Sequence, residues 1–148
     1  MKYTLATEAD IPFIREVYEE NIENLHGIYR ETEIWRTLLK KEQTEYYIVR
    51  TQERVAWFRI ELEDGGFWLG MVQVKPDFQR RGVGKYILSV VEKMAKERGF
   101  SKVGIHTTED NLAAQAFYAG AGYAVTEIGP CTTADGVERV GYTFEKEL

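Results

Sequence analysis

The sequence predicts an α/β (α+β) fold of about seven strands and about four helices, and three observations point to it. Segments of period-two alternation and segments of helical spacing succeed each other in the order β-α-α-β-β-β-α-β-α-β-β. The 148 residues, 44% of them hydrophobic, are enough to close one well-buried core. No internal repeat and no Pro-, Gly- or Ser-rich linker interrupts the order, so residues 1–148 are expected to form a single domain.

Tyr3 and Leu5 alternate with polar neighbours as a short first strand, and Thr7-Glu8-Ala9-Asp10 resembles a capping box opening a helix. Ile11, Ile14, Val17, Tyr18, Ile22 and Leu25 follow at helical spacing. After a loop around His26-Gly27, Ile34, Trp35, Leu38 and Leu39 predict a shorter second helix ending near Lys40. Tyr46–Val49 and Val55–Leu62, separated by Thr51-Gln52-Glu53, predict a hairpin. The Asp64-Gly65-Gly66 turn leads into a strand from Phe67 to Val74, which Pro76 cannot continue because it lacks an N–H for the ladder.

From Gly82, the residues Val83, Ile87, Val90, Val91 and Met94 mark one face of a helix that Gly99 is expected to stop as a left-handed cap. Lys102–Thr107 predicts a strand, Leu112–Ala119 a short helix closed by Gly120, and Tyr123–Ile128 and Val137–Phe144 the last two strands. Gly129–Gly136 is expected to be the irregular connection between them.

A net charge of −5 opposes general nucleic-acid binding, which requires a basic face to displace counterions. Cys131 is the only cysteine, which excludes an internal disulfide and a cysteine-based zinc site and fits a reducing compartment. The amino terminus lacks an apolar signal core and no apolar run is long enough to span a bilayer, so a cytoplasmic protein with no membrane partner is expected.

The segment Gln79-Arg80-Arg81-Gly82-Val83-Gly84-Lys85 joins a strand to a long helix. It places unpaired backbone N–H groups at a helix N-terminus, where phosphate binds. Gly82 and Gly84 allow close approach of a ligand, and Arg80, Arg81 and Lys85 add positive charge. The same glycines also suit tight packing, and the Arg pair also suits a solvated surface. Nucleotide P-loop spacing and the three-glycine Rossmann turn are both absent.

Val74-Lys75-Pro76-Asp77-Phe78-Gln79-Arg80-Arg81-Gly82-Val83-Gly84 resembles motif A of the GNAT family of N-acetyltransferases. Asn111-Leu112-Ala113-Ala114-Gln115-Ala116-Phe117-Tyr118-Ala119-Gly120-Ala121-Gly122-Tyr123 resembles their motif B. The resemblance covers the chain from end to end in element order and implies a mixed central sheet with two parallel strands that splay apart. It implies acetyl-CoA as co-substrate, no metal, and direct attack of an amine on the thioester in a ternary complex.

Carried onto this sequence, the resemblance assigns coenzyme contacts to Val72, Gln73, Val74, Gln79, Arg80, Arg81, Gly82, Val83, Gly84, Lys85, Asn111 and Tyr118, with Tyr118 as general acid beside the departing sulfur. Asn111 also suits an N-cap, and Phe117-Tyr118 also suits helix packing. For the base, an ammonium of pKa about 10 must lose a proton, and His106 or Glu61 could receive it, with Glu31 and Glu33 as further carboxylates. Tyr29, Glu33 and Trp68 are candidate acceptor contacts. Trp35, Trp57 and Phe58 could extend an aromatic wall or belong to the core.

The expected acceptor is a primary amine of a small molecule or a protein. Two alternatives stay open: a non-catalytic acyl-CoA sensor or scaffold, and an acyltransferase using a longer acyl-CoA. The resemblance is compatible with a homodimer through the last strands, which no residue pattern requires.

Overall fold

The computed structural model describes residues 1–22 and 32–148. Leu25, the His26-Gly27 loop, Tyr29 and Glu31 lie outside the described residues. Strand β1 (Lys2–Leu5) leads through a 3₁₀ turn to helix α1 (Ile11–Glu20). Then follow α2 (Thr32–Leu39), β2 (Thr44–Arg50), β3 (Arg54–Glu63), β4 (Gly66–Val74), α3 (Val83–Glu97), β5 (Lys102–Thr108), α4 (Leu112–Gly120), β6 (Ala124–Thr132) and β7 (Glu138–Glu147).

The strands form one seven-stranded mixed sheet in the order β1-β2-β3-β4-β5-β7-β6. Within this sheet only β4 and β5 pair in parallel, with α3 as the crossover such a pair needs, whereas β2–β3, β3–β4 and β6–β7 close through short turns. Asp64 and Gly65, both at positive φ, form the β3–β4 turn that twisted hairpin strands favour.

Side-chain alternation gives the sheet two buried faces. On one, α1 and α2 lay Ile11, Ile14, Val17, Tyr18 and Trp35 over Tyr46, Ile48 and Trp57. On the other, α3 lays Val83, Ile87, Val91 and Met94 over Val49, Phe58, Ile60, Phe67, Leu69 and Ile105, and Tyr118 of α4 joins this layer. Trp35, Trp57 and Phe58 are fully buried in these layers, so the core claims all three candidates for an aromatic acceptor wall.

Three details differ from the sequence expectations, each for a local reason. Helix α1 ends at Glu20 with Asn21 as its C-cap. Gly120 remains inside α4, and the left-handed residue is Gly122 (φ +94°), where the Tyr123 N–H reaches back to the Tyr118 carbonyl (3.0 Å). Strand β6 runs on through Pro130 to Thr132, because β6 is a sheet edge where a missing N–H costs no ladder bond. Gly99 (φ +83°) stops α3 as expected. Among the described residues no helix is long and apolar enough to cross a membrane.

Candidate active site

Strands β4 and β5 pair only at Trp68–Gly104 and Leu69–Ile105. Beyond that point β4 stays with β3 and β5 stays with β7, so the two parallel strands fork. At the far end of β4, the Lys75 N–H donates to the Val55 carbonyl on β3 (2.9 Å). Alternation therefore turns the peptide groups of Val74 and Val72 the other way, into the fork. The Val74 carbonyl accepts there from Asn21 Nδ2 (3.0 Å) and Gln79 Nε2 (3.1 Å), as that orientation requires.

A cleft of about 540 Å³ opens from the fork, lined on β4 by Val72, Gln73 and Val74, on the following turn by Gln79, Arg80 and Gly82, and on α3 by Gly84 and Lys85. Asn111 and Tyr118 close its α4 side, and among the described residues that line it none is a carboxylate. With Arg80 and Lys85 present, the cleft suits an anion.

The backbone conformation of the turn adds to this. Arg80 (φ +62°) and Gly82 (φ +85°) are left-handed and Arg81 between them is not, an alternation that gathers successive N–H groups on one side. A left-handed Arg is strained, and such strain collects at functional turns. The ladder of α3 begins with the Tyr86 N–H donating to the Gly82 carbonyl (3.0 Å), so the Val83, Gly84 and Lys85 N–H groups have no acceptor within the helix. Gly82 has open space where a Cβ would stand, whereas a Cβ on Gly84 would meet Phe117 Cζ at 3.0 Å. Gly84 thus serves packing of α3 on α4, and Gly82 serves the turn.

Two residues assigned to the turn lie differently from the rest. The Arg81 guanidinium sits over the Phe78 ring, 5.5 Å from its centroid, and is not among the cleft lining. The Val83 side chain is buried in the core, leaving only its peptide to face a ligand.

Asn111 Oδ1 accepts from the Ala114 N–H (3.2 Å), so this residue caps α4 while lining the cleft. Gln115 Nε2 donates to the Thr108 and Glu109 carbonyls, both at 2.9 Å, and ties α4 to the end of β5. Tyr118, 9% exposed, packs on Phe144, with ring centroids 6.0 Å apart. Phe144 pairs with Ile105 at the vertex of the fork. Burial pushes the Tyr118 phenol up to about 12, so it keeps its proton at neutral pH.

The candidate bases lie on the opposite sheet face. His106 directly follows the last parallel pair and alternates with core-facing Ile105, which sets its exposed ring beside the vertex away from α3. Its ring stacks on Trp68 (centroids 4.5 Å apart, 11° between planes), and its Nδ1 lies 3.2 Å from Thr143 Oγ1. Glu61 pairs across β3–β4 with Trp68, one strand further from the fork, and its Oε1 is engaged by Arg59 Nε at 2.9 Å. Glu33 is exposed on the first turn of α2, and its carboxylate pairs with Arg36. Tyr29 lies outside the described residues.

Asn21 is a site residue that the sequence reading missed. It is 8% exposed, donates to Gln73 Oε1 (3.1 Å) and the Val74 carbonyl, and accepts from Gln79 Nε2 (3.2 Å). The available signal was spacing: Ile14, Val17, Tyr18 and Asn21 make one helical stripe, and a polar residue closing an apolar stripe marks a buried polar contact.

No curated protein matches the sequence. Solved structures share its fold. A ribosomal-protein-alanine N-acetyltransferase from Brucella melitensis is 18% identical, with 100% of each chain covered and a TM-score of 0.77. A spermidine N-acetyltransferase from Vibrio cholerae is 12% identical, with 99% of this chain and 92% of that chain covered and a TM-score of 0.77. An aminoglycoside 6'-N-acetyltransferase complexed with coenzyme A is 13% identical, with coverage of 99% and 97% and a TM-score of 0.77. The model of the acetyltransferase (GNAT) family matches residues 11–123, a span that holds both the turn from Gln79 to Lys85 and Tyr118, and the chain therefore belongs to the GNAT acetyltransferase family.

Proposed function

We propose that the protein transfers an acetyl group from acetyl-CoA to a primary amine of a small molecule or protein, by direct attack in a ternary complex. The observation that carries this reading is the fork between β4 and β5. There an anion-binding turn, the inward-facing peptides of Val72 and Val74, and a protonated Tyr118 converge. Acetyl-CoA supplies the activated acyl group.

The N–H groups of the turn and α3, with Arg80 and Lys85, hold the diphosphate. The Val72 and Val74 peptides align the arm and offer donors toward the acyl oxygen, where preorganised N–H groups act most strongly. The amine approaches from the His106 face, and its nitrogen bonds to the acyl carbon as the carbon–sulfur bond breaks. His106 Nε2 takes the proton released by the nitrogen, and Tyr118 protonates the sulfur. Burial raises the phenol, but a thiolate beside it is raised by the same burial, so donation stays feasible. Glu61 is the weaker candidate base because Arg59 already holds it. Trp68 and Glu33 would border the acceptor, residues 1–148 would act as one domain in the cytoplasm, and no metal enters the reaction.

Calorimetry with acetyl-CoA tests the donor site. Gly82→Glu, Gly84→Glu and Lys85→Glu each set a carboxylate against the diphosphate, and affinity should fall by roughly 30-fold or more. Lys85→Glu does so without disturbing a glycine, and binding equal to wild type in all three would remove the turn from the mechanism. Thiol release across an amine panel then separates transfer from a non-catalytic acyl-CoA sensor, and competition among acyl-CoA chain lengths tests the acyl preference.

A further inference from the structure

Trp68 is seated in an unusual trough. On its own strand, a Cβ at Gly66 would lie 2.6 Å from the indole Nε1. Across the parallel pair, a Cβ at Gly104 would lie 2.3 Å from Cζ3 and 2.5 Å from Cε3. Neither glycine is at positive φ, so the backbone does not call for them; the indole does. Two side chains are absent so that one ring can lie flat across two strands.

Beside Gly104 on that face of β5, His106 meets the indole in a nearly parallel stack next to the fork. From the other side Thr143, the β7 partner of His106, reaches Nδ1. Stacking sets the plane of the imidazole, and the Thr143 contact sets its rotation within that plane. In the tautomer whose Nδ1–H donates to Thr143 Oγ1, the free lone pair is on Nε2.

We infer that Trp68, seated over Gly66 and Gly104, is a positioning residue that holds the His106 imidazole at the vertex with Nε2 toward the acceptor; this rests on His106 being the base. Among the described residues, the charged group that interacts with the imidazole is Glu145 on β7, which is paired with Lys102 of β5, and Glu61 on β3, which is paired with Arg59, lies across from Trp68. The stack works on orientation, and these pairs set the background field.

The first test is spectroscopic and needs no acceptor. An indole face shields protons stacked on it, so the His106 ring protons should resonate upfield in the wild-type NMR spectrum, where loss of the signals in His106→Gln assigns them. Gly104→Ala and Trp68→Leu should both remove that upfield shift. Gly104→Ala with the wild-type shift intact would overturn the inference.

The second test is a mutant cycle on thiol release, using spermidine, kanamycin and an alanine-starting peptide as acceptors. His106→Gln should lower kcat by about 100-fold or more, and Trp68→Leu and Gly104→Ala by about 10-fold, with acetyl-CoA affinity retained. Trp68→Phe, which can still stack, should recover to within about 3-fold of wild type. In the His106→Gln background, Trp68→Leu should cost less than about 2-fold, because a residue acting through another has nothing left to position. If His106→Gln keeps wild-type kcat, the base assignment fails and the inference falls with it. If His106→Gln is slow but the two losses multiply, His106 remains the base and Trp68 is not its positioner. Absence of thiol release with every acceptor sinks transfer and positioning together.

Discussion

Replacing Asn21 probes the junction between donor cleft and helix α1 most directly. Its amide is fully used: both Nδ2 protons are donated, to Gln73 Oε1 and to the Val74 carbonyl, and Oδ1 accepts from Gln79. Asn21→Ala removes three hydrogen bonds and orphans Gln73 Oε1, on a side chain only 5% exposed. The Val74 carbonyl keeps Gln79 as a donor. One orphaned acceptor at about 1–3 kcal/mol plus the two other lost bonds near 1 kcal/mol each gives a destabilisation of about 3–5 kcal/mol. For a chain of this size that lowers Tm by roughly 6–20 °C.

Asn21→Asp should be worse at neutral pH, since a carboxylate has no proton for the Val74 carbonyl. Gln73 can rotate its amide to compensate, but a backbone carbonyl cannot. The new carboxyl, buried against the Val74 carbonyl with only neutral amide donors, has a raised folded pKa. Its penalty is therefore full above that pKa and relieved as pH falls and the group protonates. Urea titrations followed by tryptophan fluorescence at pH 7 and pH 4, with calorimetry for acetyl-CoA, measure both effects. An Asn21→Asp variant at least as stable as Asn21→Ala at pH 7 would refute the donor role assigned to this amide.

Tyr118→Phe should lower kcat by about 100-fold while acetyl-CoA affinity changes less than about 2-fold, because the hydroxyl is asked only to protonate sulfur. Since burial holds the phenol up to about 12, steady-state rates should show no alkaline limb from it between pH 8 and 10. Such a limb, lost in the Phe variant, would contradict the burial. Away from the site, Arg98 Nη1 and Nη2 bond both carboxylate oxygens of Glu45 (2.9 and 2.8 Å), and that bond is the main cause that holds Glu45 below its usual range. A depressed carboxylate stabilises the fold above its unfolded pKa and loses that contribution as pH falls through the folded value. Arg98→Ala should therefore cost about 1 kcal/mol at pH 7 and progressively less below pH 4 in urea titrations, and an equal cost at both would count against the pair.

The distribution of period-two and helical patterns was sufficient for all seven strands and four helices, because each buries one face against a neighbour and must carry that period. Expectations failed where local chemistry has two outcomes. The stretch from Gly129 reads as irregular until β6 is known to be an edge that tolerates Pro130, and the left-handed cap falls on Gly122 instead of Gly120. Trp35, Trp57 and Trp68 look alike in sequence, yet two are core and one lies beside the fork, since alternation does not reveal which face a helix covers.

The turn side of the cleft was legible because its parts are contiguous: a turn and a helix start, each with backbone groups fixed by local geometry. Sequence alone thus determined the fold class, the turn and helix start from Gln79 to Lys85 and the family-like pattern around Tyr118. Only the tertiary structure decided that Asn21 braces the fork, that Arg59 occupies Glu61, and that Gly66 and Gly104 make room for an indole stacked on His106. Those contacts join residues from different strands and helices, and their distances are set by strand register and helix packing, which no local pattern of residues encodes.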